Sequence, residues 1–266
     1  MINKFLTPSS LSEEIRERVI HIEAKIDSVL SRLSAPAGET NVYRGHPDQF
    51  FGGITYSQYG EDIIIMNIFH LLGINKPSYI DIGAYHPLNI SNTALFYFRG
   101  SRGINVEANP NLIEEFNKHR PEDINLNFGV GPNNGTLDFY FIDDWSGRNT
   151  FCREVAEEFV RQNQNFSIQK IQQIPVRTIN DIISNYSDGK FPDFISIDVE
   201  GFDIDILSTA SFDKSRPVVI CVEAELNGEV DRASRLISLL RERGYRLYVR
   251  TVANLIFVHD NAMASL

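Results

Sequence analysis

Three features of the 266-residue chain predict an α/β, Rossmann-like fold built on a mostly parallel sheet. From about residue 55, short apolar runs alternate with helical patterns. Several runs end in acidic or glycine-containing turns, where doubly wound sheets bind their ligands. The last two runs are joined by residues 250–254 alone, too few for a crossover helix, so they must pair antiparallel. The expected sheet is covered on both faces and carries an antiparallel strand at or near one edge.

Residues 11–34 read as a helix, with Ser10 as cap and Glu13 completing a capping box. Ile15, Val19, Ile22, Ile26, Val29 and Leu33 follow a heptad spacing, so self-association is expected and the protein reads as a homo-oligomer. A linker with Pro, Gly and small polar residues occupies 35–55, and the main domain spans 56–266. Within it, residues 56–72 form a helix through Ile64, Ile65, Ile68, Phe69 and Leu72. Residues 78–82 form a first strand, 91–99 a helix, 104–106 a second strand, 111–119 a helix and 125–130 a third strand. Residues 136–176 interrupt the alternation and read as an insertion able to cover the site, strand-like at 137–142 and 167–176 and helical at 153–163. Residues 194–199 and 218–222 are the fourth and fifth strands. An amphipathic helix over 230–243, stopped by Gly244, leads to the closing pair at 245–249 and 255–258.

The formal charge of −10 argues against a broad basic face for nucleic acid or anionic lipid. A small or neutral partner suits it better. The two cysteines match no zinc spacing and no disulfide framework, and Cys221, inside an apolar run, reads as a buried thiol. No apolar stretch approaches the roughly 18–20 residues of a membrane span. The N-terminus lacks a signal-peptide layout, which makes the cytoplasm the default location.

The residues that carry chemistry follow strands. The first strand leads into Asp81-Ile82-Gly83-Ala84-Tyr85-His86, where glycine permits a tight turn and close approach to a ligand. Glu107 ends the second strand, where an acid can accept both hydroxyls of a ribose. The fourth strand runs into Asp198-Val199-Glu200 and the fifth into Glu223-Ala224-Glu225. Several carboxylates beside one cleft imply a cation, a cationic ligand or a raised pKa. S-adenosylmethionine, with a sulfonium and an ammonium, satisfies that condition. Mg²⁺ held by Asp198, Glu200 and Glu223 is the competing explanation.

Taken in order, these residues resemble the FkbM family of methyltransferases. The resemblance runs through Ser57-Gln58-Tyr59-Gly60-Glu61-Asp62, Tyr79-Ile80-Asp81-Ile82-Gly83-Ala84, Ser91-Asn92-Thr93 and Val106-Glu107-Ala108-Asn109-Pro110. It continues through Asn127-Phe128-Gly129-Val130-Gly131, Val176-Arg177-Thr178-Ile179-Asn180-Asp181, Ile197-Asp198-Val199-Glu200-Gly201 and Asn254-Leu255-Ile256-Phe257-Val258. It implies a class I methyltransferase fold, S-adenosylmethionine as donor and, for many members, a sugar hydroxyl as acceptor. By position it implies Asp81 and Gly83 at the methionine end of the donor, with Ala84, Tyr85, Asn92 and Ala108 also in the donor site. It likewise implies Glu107 at the ribose, residues 127–130 with Phe128 and Gly129 beside the adenine, and Asp198 and Glu200 at the reacting centre, Asp198 also touching the donor. The turn after Gly83 has no second glycine, unlike the glycine-richer class I pattern.

A neutral sugar hydroxyl is a poor nucleophile, so a base is expected, and His86, Asp198 and Glu200 are the candidates. The segment Asp143-Asp144-Trp145-Ser146-Gly147-Arg148-Asn149 holds the single Trp and suits an acceptor loop, with a surface turn as the plain alternative. Two other functions compete. A nicotinamide enzyme requires a fuller glycine-rich turn than follows Asp81. A non-catalytic module assembling through its N-terminal helix would tolerate loss of Glu107.

Overall fold

The computed structural model describes residues 55–199, 201–224 and 231–266. The helix expected over 11–34, the self-association read from it and the linker up to residue 54 lie outside the described residues. So do Glu200 and Glu225.

The chain opens on helix α1 (Glu61–Leu71), followed by β1 (Tyr79–Ile82), α2 (Ala94–Phe98), β2 (Gly103–Val106), α3 (Pro110–His119) and β3 (Ile124–Leu126). Next come β4 (Gly129–Val130), β5 (Gly135–Phe141), α4 (Arg153–Gln162), β6 (Lys170–Arg177) and α5 (Ile179–Tyr186). Then follow β7 (Phe194–Ile197), α6 (Asp203–Thr209), β8 (Val219–Glu223), α7 (Arg232–Glu242), β9 (Tyr245–Arg250), β10 (Asn254–His259) and α8 (Asp260–Met263).

Seven strands form the main sheet in the order β3-β2-β1-β7-β8-β10-β9. The first five run parallel, and β10 pairs antiparallel with both β8 and β9. The expected antiparallel strand therefore sits one place in from the edge. The central strands β1, β7 and β8 are buried at every residue, as strands covered on both faces must be. On one face, Ile82, Val106, Ile197 and Val222 join a core with α5, α6 and α7. On the other, Phe96 of α2 packs against Phe69 of α1 and Phe194 of β7. No described helix is long and apolar enough to cross a membrane.

The structure differs from the sequence reading in four places. Helix α1 begins at Glu61, because Gly60 adopts a left-handed φ of 87° and the Asp62 carboxylate gathers Thr55, the Tyr56 amide and Ser57 into a turn. The strand expected over 125–130 is two strands. Asn127 breaks it by donating to the Glu107 and Ala108 carbonyls, so that β3 stays in the main sheet and β4 leaves it. The insertion, with β4, builds a second sheet of three strands, β4-β6-β5. Helices α5, α6 and α8 had no counterpart in the sequence reading. Thr178 caps α5 by accepting from the Asp181 amide.

Candidate active site

The carboxyl ends of β1, β2, β7 and β8 open into one cavity of about 250 Å³, near the lower end for small-molecule sites. The turn after β1 forms its floor. Gly83 and Ala84 amides both donate to the Val106 carbonyl, at 2.9 and 3.1 Å, and the Asp198 amide donates to Ile82 at 2.9 Å. These bonds draw the β1 and β7 turns together. Gly83 has φ +74°, and a β-carbon there would lie 1.7 Å from the Asp198 carbonyl oxygen. Only glycine fits, on both counts.

Glu107 is held at the end of β2 by two amides. Tyr85 donates to Oε2 at 2.8 Å and Asn109 to Oε1 at 2.7 Å. Each carboxylate oxygen keeps a second lone pair for a ligand hydroxyl. Burial pushes the carboxyl up to about 7, against the lowering influence of those amides. Asp81, also buried, accepts from Thr93 Oγ1 at 2.6 Å. Its pKa is raised, chiefly by burial, with the Thr93 hydrogen bond opposing. Tyr85 takes φ 54°, an uncommon conformation for a non-glycine residue, and its amide reaches Glu107 from there.

The sequence candidates converge. Asp81, Gly83, Ala84, Tyr85 and Asn92 line the cavity, as do Glu107 and Ala108 at β2, Phe128 and Gly129 before and in β4, and Asp198 after β7. Glu223 lines it from β8. His86 does not line the cavity; its Nδ1 accepts from the Leu88 and Asn89 amides, both at 3.1 Å, and burial lowers its pKa. Among the described residues no group of three or more His, Cys, Asp or Glu is placed to hold a metal ion. The Mg²⁺ set named from the sequence therefore lacks an assembled site there, and its member Glu200 lies outside the described residues.

The insertion contributes a wall. Ser146, Gly147, Arg148 and Asn149 line the cavity, whereas Trp145 does not and is 57% exposed. Asn109 and Asn111 at the start of α3 donate to the Asp144 carbonyl and tie this loop over the end of β2. Asn149 closes the loop on itself, accepting from the Ile142 amide and donating to the Asp143 carbonyl.

Sequence reasoning missed Gln58, Ser196 and Ile90 as lining residues. Gln58 had a signal, since it lies in the quoted Ser57–Asp62 segment. It is brought in by buried Glu61, which accepts from Thr251 Oγ1 at 2.6 Å, Asn254 Nδ2 at 3.1 Å and the Tyr59 amide at 2.9 Å. Burial alone would raise the Glu61 pKa, but these bonds outweigh it and lower it.

Sheet order, a glycine-hinged turn after β1 and an acid closing β2 define a Rossmann-like α/β protein with its site at the carboxyl ends of the strands. The family described as "Methyltransferase FkbM domain" matches residues 81–247, more than half of the chain, and the protein belongs to that family. No curated protein matches. Among solved structures, the chain is similar to a crystal structure assigned to an RNA methyltransferase, PH1948 of Pyrococcus horikoshii, at 13% identity and a TM-score of 0.39, covering 79% of this chain and 89% of that one. It is also similar to the mitomycin 7-O-methyltransferase MmcR at 12% identity and a TM-score of 0.34, covering 74% of this chain and 54% of that one.

Proposed function

We propose that the protein transfers a methyl group from S-adenosylmethionine to a hydroxyl of a sugar, free or attached to a larger molecule. The observation that carries the reading is one cavity walled by carboxylates from four neighbouring strands: Asp81, Glu107, Asp198 and Glu223. A donor that brings a sulfonium and an ammonium offsets the repulsion among them. The residues fit it in kind. Glu107, fixed by two amides, presents lone pairs to the ribose hydroxyls. Phe128, Leu112 and Val130 offer an apolar slot for a base, and Gly83 leaves room for close backbone approach.

The donor's contribution is an electrophilic methyl: the C–O bond forms as the C–S bond breaks, and S-adenosylhomocysteine leaves. The chain's task is positioning and proton removal. Asp198 is exposed at the end of β7 beside the Gly83 turn, within reach of an incoming acceptor. In this reading it accepts the hydroxyl proton as attack develops. Arg148 and Gln58 supply the hydrogen bonds that orient a polyhydroxy acceptor.

The test is transfer of label from methyl-labelled S-adenosylmethionine to a panel of simple glycosides, with wild type and Asp198→Asn. Transfer by the wild type that drops at least about a hundredfold in the variant supports the reading. A wild type that binds donor but labels no glycoside removes the sugar from it. Undiminished transfer by the variant removes Asp198 as base.

A further inference from the structure

A polar row crosses the otherwise apolar main sheet beneath the cavity. Strand register sets Asn125 beside Asn105, Asn105 beside Asp81, Asp81 beside Ser196, and Ser196 beside Cys221. Beside this row lies a buried cation, which reaches one of its members, Asp81, through the Thr93 hydroxyl. Arg120 is 0% exposed and extends from the end of α3 under β1. Its Nε donates to Asp123 Oδ2 at 2.9 Å and its Nη2 to the Tyr79 hydroxyl at 2.9 Å. Its Nη1 points the other way, to Thr93 Oγ1 at 3.0 Å. Thr93 Oγ1 in turn donates to Asp81 Oδ2 at 2.6 Å. Arg120 and Thr93 themselves do not line the cavity, whereas Asp81 does.

The direction of this chain is fixed by its chemistry. A guanidinium carries only donors, so the Thr93 oxygen accepts from it and commits its own proton to Asp81. Asp81 is thus held as an acceptor through Oδ2, in one rotamer, with the positive charge of Arg120 relayed to it. Asp123 is met by the Arg120 Nε together with Tyr79, the Asn105 side chain and the Gly103 amide, none of which draws on Nη1. The Nη1 arm therefore serves the Asp81 side of the network.

We propose that Arg120, acting through Thr93, is a positioning residue for the donor: it orients the Asp81 carboxylate to receive the ammonium of the donor's amino-acid end. The inference rests on the donor reading above. It separates two parts of the ligand, since the amino-acid end depends on Arg120 and Thr93 and the nucleoside depends on Glu107.

The experiment measures calorimetric affinities for S-adenosylhomocysteine and for 5′-methylthioadenosine, which keeps the nucleoside and lacks the amino-acid group. Thr93→Val is expected to weaken S-adenosylhomocysteine at least about tenfold, a loss near 1.4 kcal/mol, and to leave methylthioadenosine within about twofold. Thr93→Ser, which restores the hydroxyl, is expected to recover the affinity. Arg120→Lys, which keeps charge and loses the forked donor set, is expected to repeat the selective loss should Thr93→Val fail to fold. Equal weakening of both ligands, or none, overturns the positioning role. A folded wild type that binds neither compound overturns the donor reading beneath it.

Discussion

Gly83 and Asp198 stand so close that a β-carbon on Gly83 would fall 1.7 Å from the Asp198 carbonyl oxygen. One contact thereby joins the turn that carries the donor-site residues to the residue proposed as base. Gly83→Ala must separate the two turns or distort both, and φ +74° adds strain of its own. The variant is expected to lose S-adenosylhomocysteine affinity by more than about tenfold, read by calorimetry. It is also expected to lower the melting temperature. An unchanged affinity would mean the turns yield at no cost.

Glu107 gives a pH signature. Its carboxyl titrates near 7 in the folded chain against an ordinary value of 4.5, so between these limits the folded state binds the extra proton. Its contribution to the stability of the free protein is complete below about 4.5 and is lost as pH rises through about 7. Ribose hydroxyls donate to the ionised form. S-adenosylhomocysteine binding is therefore expected to weaken about tenfold between pH 8 and pH 6. Glu107→Gln is expected to flatten both profiles, measured by calorimetry and by thermal melting across that range.

Arg232 and Asp203 form a buried ion pair at 2.5 Å, their side chains 2% and 0% exposed. Asp203 also accepts from the Val199 amide, and Arg232 Nε from its side donates to the Glu223 carbonyl. The pair thus ties the β7 and β8 ends together. Removing one partner strands a buried charge, so Arg232→Ala is expected to cost about 3–5 kcal/mol in urea unfolding. A loss under about 1 kcal/mol would show that water reaches the remaining carboxylate.

The fold was legible because strand and helix periods differ and because the short 250–254 connection admits one pairing only. Glu107 and Gly83 were legible because a strand followed by an acid or a glycine marks a sheet-edge site. The burial of Glu61 and Arg120 was not, since charged residues are by default placed in solvent, and their burial depends on partners such as Thr251 and Asp81's neighbour Thr93 that lie far away in the sequence. The split between β3 and β4 was hidden for a similar reason: Asn127 breaks an apolar run through bonds to β2, not through a local turn signal. His86 looked like a base by type and position, but its Nδ1 is engaged by amides of its own loop.

The most direct test of the donor site is calorimetric titration of S-adenosylhomocysteine into the wild type and into a folded Glu107→Ala variant. Micromolar binding that weakens at least about tenfold in the variant, near 1.4 kcal/mol, is the result this account predicts. No binding by the folded wild type, or equal binding by both proteins, would contradict it.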